Sequence, residues 1–524
     1  MRMTHTLTVP NSTDASTETP GMANEIPTVD WHARACKPRV PVQPFIEGKF
    51  RSSQSASSFR KINPANGTLL AEMAEGSRED VNTAVRSARN AFEDGRWSDL
   101  PAAQRKSVLL RFADLIDRHS EDLALLDALD VGKPITDVLT IDLPFSTSVL
   151  RFNAEVADKI FGTTVPADGR TLAMCVRIPR GVVGAIIGWN FPLLLAMQKI
   201  GPALATGNSL VLKPSELSSL SAMRVAELAV EAGIPDGVLN VVPGIGATVG
   251  DALAHHDDVD MLSFTGSSAT GKRIMQAAAA SNMKRLLLEC GGKSPNIVFA
   301  DFPDLDAAVT GVTSRMFWNQ GQVCTAGTRV LVEESIREDF TARLIRKVRE
   351  IRAGDPLDPA TSFGALVSCP QLEKVMGYIQ SATDEGARLQ LGGKRVLRES
   401  GGNFVEPTIF DGVTTGMKVA QEEVFGPVLS IMSFETIGQA VALANATMYG
   451  LSATAWTKDV GKVQYLIRKL QSGEITINAT PNPSSGARFG SMPLEPYNQS
   501  GLGVEGGTSG VECYTAMKSV QIHT

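Results

Sequence analysis

Between Val182 and Glu289 five short apolar runs alternate with stretches long enough to be crossover helices. The runs are Val182 to Ile187, Ser209 to Leu212, Val238 to Val242, Met261 to Phe264 and Leu286 to Leu288. Strands that are apolar throughout are buried on both faces, and parallel neighbours need a long connection between them, so the pattern predicts an α/β fold built on a doubly wound parallel sheet. Such a sheet binds ligands beyond the carboxyl ends of its strands. Here the five ends read Gly188-Trp189-Asn190, Lys213-Pro214-Ser215-Glu216, Gly244-x-Gly246, Thr265-Gly266-Ser267 with Gly271, and Glu289-Cys290-Gly291-Gly292. Polar or glycine residues follow every strand, which marks this edge as the place to look for chemistry.

The first of these strands lies in a run of eighteen uncharged residues, Gly181 to Gln198, near the lower limit of a membrane span. Asn190 and Pro192 at its middle would leave polar groups unsatisfied in lipid, so it divides into a strand, a loop and the start of a helix. A net charge of -6 with no basic run gives no footing for nucleic acid or an anionic membrane. The expected partners are small molecules and further copies of the chain. Six widely spaced cysteines make neither a disulfide framework nor a zinc ribbon and fit a reducing compartment. Residues 1–43 are polar, contain Asp14, Glu18, Glu25 and Asp30, and lack the features of a signal or transit peptide, so they are expected to be a disordered extension of a cytoplasmic protein.

Elsewhere the patterns are those of packed domains. Ser77 with Asp80 forms a capping box before a helical stripe of Val81, Ala84, Val85, Ala88 and Phe92, and Pro101 opens another helix. A second α/β segment begins with a strand at Asn296 to Phe299, while Phe161 to Ile178 and Val511 to Ile522 read as extended, edge-like strands.

Cys324 sits in a polar, glycine-bearing loop, Asn319 to Arg329 (NQGQVCTAGTR), after Phe317 and Trp318. By itself it fits a small buried hydrophobe as well as a nucleophile. Thr265 to Gly271 (TGSSATG) is a glycine turn between strand and helix, suited either to close packing or to a pyrophosphate. The dinucleotide fingerprint G-x-G-x-x-G is absent from this segment. Lys213 and Glu216 have the chemistry to take the two ribose hydroxyls of an adenosine, and a carboxylate there would repel a 2′-phosphate, which favours NAD over NADP. Glu289 could serve a thiol or a water as base. The six histidines (5, 32, 119, 255, 256, 523) provide no evident partner for Cys324 and no metal set, so no metal is expected.

The ordered motifs GWNFPLLLAMQKIGPALATGNSLVLKPSE, FTGSSATG, ECGGKSPNIV, NQGQVCTAGTR and EEVFGPV resemble the NAD(P)-dependent aldehyde dehydrogenase superfamily, in its hydrolytic branch, from about Phe45 to the C-terminus. The resemblance implies that Cys324 is the nucleophile, Glu289 the general base and Asn190 an oxyanion donor together with the Cys324 backbone N–H. It implies NAD contacts from Ile187, Trp189, Lys213, Glu216, Gly246, Gly266, Ser267, Gly271, Glu423 and Phe425, and a substrate tunnel lined by Phe191 and Trp318. An aldehyde would be oxidised to the acid through a thiohemiacetal and a thioester. A CoA-acylating dehydrogenase and a cofactor-free thiol esterase are the alternatives.

The implied architecture is a doubly wound cofactor domain (44–155 and 180–290), an α/β catalytic domain (291–495) and a small β oligomerisation domain (156–179 and 496–524), assembled as a homodimer or homotetramer. Three departures stand out against the family pattern. Gly188 replaces a common Pro, Cys290 a common Leu, and Pro493-Leu494-Glu495-Pro496-Tyr497-Asn498 takes the place of PFGG-x-K in a lengthened 478–501 loop at the substrate entrance.

Overall fold

The computed structural model describes residues 29–35, 40–479 and 490–523. The expected 1–43 extension and the middle of the 478–501 loop lie largely outside these residues.

The five predicted strands are all formed: β1 (Val182–Ile186), β2 (Ser209–Lys213), β3 (Leu239–Val241), β4 (Met261–Thr265) and β5 (Arg285–Glu289). They lie parallel in the order β3-β2-β1-β4-β5, so the winding reverses between β1 and β4. A crevice at a reversal of this kind accepts ligands, because the crossovers on its two sides leave on opposite faces. Helix Arg78–Glu93, with the Ser77/Asp80 capping box, and helix Ser268–Ala280 cover one face through Val81, Val85, Ile274 and Ala277. Pro192–Ala205 and Leu220–Glu231 pack against the strands as crossovers.

A second sheet holds β6 (Pro295–Val298), β7 (Arg329–Glu333), β8 (Arg388–Leu391), β9 (Thr408–Asp411), β10 (Val428–Phe434), β11 (Ser452–Trp456) and β12 (Glu474–Ile477). Its order is β8-β9-β10-β7-β6-β11-β12, parallel except for β8. Only five residues of chain separate the end of β5 from the start of β6, so Glu289 stands where the two sheets meet.

A three-stranded antiparallel sheet is made by Thr163–Val165, Thr171–Pro179 and Thr515–His523. The extended reading of the tail starts too early. Gly507–Cys513 is helical and buries Gly510 and Val511. Before it, Gly501–Leu502 adds antiparallel to β5 of the first sheet, and Ser500 O accepts the Cys290 N–H at 2.8 Å. Packing outweighs pattern in both places, because these segments are too short to carry a period of their own. No helix among the described residues is long and apolar enough to cross a membrane.

Candidate active site

The loop bearing Cys324 leaves helix Leu305–Phe317 through a tight turn at Trp318–Gly321. Asn319, Gln320 and Gly321 all have positive φ (48°, 57° and 70°). Left-handed backbone costs little at Gly and Asn but more at Gln, and it persists only where the surroundings fix it. Three side-chain bonds do so here. Asn319 Nδ2 donates to Asn190 O at 2.9 Å and to Gln322 O at 3.2 Å, and Asn190 Nδ2 donates to the same Gln322 O at 2.9 Å. The end of β1 is thereby sewn to the cysteine loop of the second sheet, and the second hydrogen of the buried Asn190 amide remains to donate. Gly292 is required in this contact, since a Cβ there would lie 2.2 Å from Cys324 O.

Charge around the sulfur is strongly biased. Burial first, then the Glu423 and Glu289 carboxylates, push the Cys324 thiol up to about 12, opposed by the backbone N–H groups of Thr325 and Cys324. Burial also drives Glu289 well above the usual carboxylate range; Glu505 adds to this and Lys199 opposes it. Glu289 Oε1 is buried and has no partner among the described residues. Lys199 is fully buried and pairs with Glu505. Glu423 accepts the Gly292 N–H at 2.9 Å, and a Cβ on Gly291 would strike its carboxylate.

Two aromatic pairs form walls. Phe191 and Trp318 lie 4.9 Å apart, with Lys133 Nζ 3.7 Å above the Phe191 ring. Trp189 meets Phe425 edge-on at 5.1 Å, and Phe425 holds φ at 58°. Cys290 is buried at the end of β5, and burial, then the Glu289 and Glu423 charges, push its thiol up to about 12.

The chain matches the aldehyde dehydrogenase family over residues 50–520. It is 46% identical over 474 residues to the aminoacetaldehyde dehydrogenase of Pseudomonas aeruginosa, covering 90% of this chain and 94% of that one. The chain belongs to the aldehyde dehydrogenase family. It is also 43% identical to the NADP/NAD-dependent aldehyde dehydrogenase PuuC of Escherichia coli K12, over 94% of this chain and 98% of that one. A solved indole-3-acetaldehyde dehydrogenase in complex with NAD+ superposes with a TM-score of 0.92 at 47% identity, over 94% of this chain and 99% of that one. This aldehyde dehydrogenase therefore oxidises aldehydes with NAD through a cysteine thioester.

The β1/β4 crevice fits NAD on its own chemistry. Thr265 Oγ1, at the end of β4, is buried without a partner among the described residues, and the following helix Ser268–Ala280 turns its N-terminus to the same edge. Lys213 Nζ holds Glu216 Oε2 at 3.0 Å, with the lysine buried and the Glu216 side chain 38% exposed, so a carboxylate is offered at the rim. Ile187 N–H is taken by Lys213 O, and Gly266 N–H by Glu289 O. Ser267 Oγ is used as a helix cap, accepting from Thr270 N–H at 3.2 Å, and it shares a second hydrogen bond with Thr270 Oγ1 at 3.0 Å. Gly271 lies over Cys290 Sγ, where a Cβ would come within 2.8 Å. Gly246 opens a wide π-type turn into open space.

The motifs did not single out Lys199, Glu505 or Lys293. Lys199 had a signal in the sequence, as the one charge in the apolar helix Pro192–Ala205. Lys293 Nζ is buried without a hydrogen-bond partner among the described residues, and burial lowers it to about 7. Glu505 had no signal, because its role depends wholly on where the tail folds back.

Proposed function

We propose that Cys324 is the nucleophile, Asn190 an oxyanion donor and Glu289 the base of an NAD-dependent, hydrolytic aldehyde oxidation. The observation that carries this reading is the convergence on the junction of the two sheets of Cys324, the Asn190 amide and the buried Glu289 carboxylate, whose Oε1 has no partner among the described residues. The thiol passes its proton to solvent water as sulfur bonds to the aldehyde carbon, and the carbonyl electron pair moves to oxygen. That oxygen is received by the Asn190 amide and the Cys324 N–H, donors whose individual removal typically costs about 10² to 10³ in rate. NAD, when bound, supplies the hydride acceptor. Glu289 then takes a proton from the water that attacks the thioester carbon, the C–S bond breaks, and the acid leaves. Lys199 and Glu505 set how readily Glu289 holds that proton.

On the cofactor side, Lys213 and Glu216 take the adenosine ribose, which favours NAD over NADP; Glu423 takes the nicotinamide ribose with Phe425 beside it. Ile187, Trp189, Gly246, Gly266, Ser267 and Gly271 line the rest of the site. Phe191 and Trp318 favour aldehydes with an apolar or aromatic tail. The enzyme works in the cytoplasm, its domains divide as the family pattern implies, and it assembles as a homodimer or homotetramer. Assembly is supported by the antiparallel sheet, which exposes Val165, Leu172, Met517 and Ile522.

The test is NADH formation across aliphatic, aromatic, amino and semialdehyde substrates, with NAD and with NADP. Turnover independent of CoA is expected, with the lowest KM for aromatic aldehydes and loss of all NADH formation in Cys324→Ala. An active Cys324→Ala enzyme sinks the assignment. CoA-dependent product, or ester hydrolysis as the sole activity, favours the alternatives. Size-exclusion chromatography with light scattering reads the assembly state.

A further inference from the structure

Lys61 breaks the polarity of its own strand. In Ser58–Ile62 the flanking Arg60 and Ile62 are exposed, whereas Lys61 is 2% exposed. Burying an ammonium is costly unless partners replace its water, so a lysine pointing inward beside an isoleucine pointing outward needs a reason. Its strand pairs only with Leu69–Ala74, in a hairpin outside both large sheets, yet Nζ reaches into the cofactor edge of the first.

Two contacts meet it there. Lys61 Nζ donates to the backbone carbonyl of Glu216 at 3.0 Å and pairs with Asp130 Oδ1 at 2.8 Å. Asp130, fully buried near the end of helix Ser120–Val131, accepts the Leu220 N–H on its other oxygen at 2.9 Å. The lysine and the aspartate thus hold the two ends of the short connection from Glu216 to Leu220, one by a carbonyl and the other by an amide. Within it, Ser215 ties down Leu217 N–H through its hydroxyl at 3.2 Å and Ser218 N–H through its carbonyl at 3.1 Å. Lys213 holds the Glu216 carboxylate itself at 3.0 Å. Glu216 is therefore fixed twice, by its side chain from the end of β2 and by its main chain from a hairpin more than 150 residues away in sequence.

We propose that Lys61 is a positioning residue for the cofactor: by holding the main chain of Glu216 it aims the carboxylate at the adenosine ribose diol, and so sets NAD affinity and the preference for NAD over NADP. The inference rests on the assignment of Glu216 as the ribose acceptor. Lys61 has no part in bond making, since its ammonium is covered and faces protein on all sides. A fixed carboxylate binds two hydroxyls without having to be ordered first, whereas a loose one must be immobilised on binding. NADP, whose 2′-phosphate gains nothing from Glu216, has little to lose when the loop is freed.

The experiment measures dissociation constants for NAD and NADP by titration calorimetry without aldehyde, alongside kcat at saturating NAD. The variants are Lys61→Met, Lys61→Arg, the double variant Lys61→Met/Asp130→Asn, and Glu216→Gln. Lys61→Met leaves Asp130 buried and unpaired; if it fails to fold, the double variant removes both charges and keeps an acceptor for Leu220 N–H. The expected result is about tenfold weaker NAD binding in the Met variants, from one lost charge-assisted bond. NADP binding should change by less than about threefold and kcat by less than about twofold on the same reasoning, with Lys61→Arg restoring most of the affinity. Equal weakening of NAD and NADP, or NAD binding unchanged in both Met variants, overturns the inference. If Glu216→Gln leaves NAD affinity intact, the ribose assignment itself fails; if it weakens NAD while the Lys61 variants do not, only the role of Lys61 fails.

Discussion

Glu216 and Glu289 both stand at the carboxyl end of a strand in the same sheet, one after β2 and the other closing β5. Their surroundings are opposite. Glu216 is partly exposed, and its side chain is held by Lys213 and its main chain by Lys61. Glu289 is buried, has an oxygen without a partner among the described residues, and is driven well above the usual carboxylate range by burial. A carboxylate that binds a neutral diol must stay charged and still, so it is paired. One that collects a proton must have a reason to accept it, so it is desolvated and left short of donors. Environment, rather than residue type, separates a binding glutamate from a working one.

The sharpest way to break this contrast is to neutralise each carboxylate in turn. Glu289→Gln should lower steady-state turnover by about 10² to 10⁴, the usual weight of a general base, while leaving a rapid first turnover of NADH. Stopped-flow absorbance separates the two phases, and equal loss of burst and steady state would remove Glu289 from deacylation. Glu216→Gln should do the reverse, raising KM for NAD by about tenfold or more through weakened charge-assisted bonds with kcat near that of the parent. A fall in kcat without a change in KM would erase the distinction between the two sites.

A smaller effect tests why Glu289 is poised. Lys199 opposes the upward push on Glu289, and Glu505 adds to it. Glu289 works as a base only above its own raised value, so activity falls as pH drops through it. Removing the cation in Lys199→Met should move this acid limb to higher pH, and Glu505→Gln should move it lower, each by about one unit, the scale of a single nearby charge. Profiles of kcat against pH read both. Shifts in the same direction would mean that the pair supports packing rather than charge.

Much of this was legible in the sequence because the cues were local. The five strand runs of the first sheet needed only apolar continuity, and the Ser77 cap needed only two residues at the right spacing. Glu216 was legible as a candidate because Lys213 lies three residues away. The pairing of Glu289 with Cys324 was not readable from spacing and came through family resemblance, since thirty-four residues and a change of sheet intervene. Lys61 and Glu505 act only through folding, one across a hairpin and the other from a returning tail, so their periodic neighbourhoods gave no warning. The Val511 stretch was misread as extended because a seven-residue helix closed by packing against Pro192–Ala205 has too few residues to display a period.

The smallest effect asks whether the two glutamates differ at the sulfur itself. In the free enzyme burial holds the Cys324 thiol up near 12, and the charges that add to this are Glu423 first and Glu289 second. Glu216 is not among them. Glu423→Gln should therefore lower the thiol most, Glu289→Gln somewhat less, and Glu216→Gln not at all. Because the thiolate is the species that reacts, each unit of lowering raises the alkylation rate by about tenfold at a pH well below the titration midpoint. Iodoacetamide inactivation of the cofactor-free enzyme against pH, with Cys324→Ala as the blank for the other cysteines, measures the order. A Glu289→Gln enzyme that alkylates no faster than its parent would mean that the carboxyl already carries its proton in the free enzyme. The base would then become charged only once the site is filled, and the contrast with Glu216 would be one of timing as well as of place.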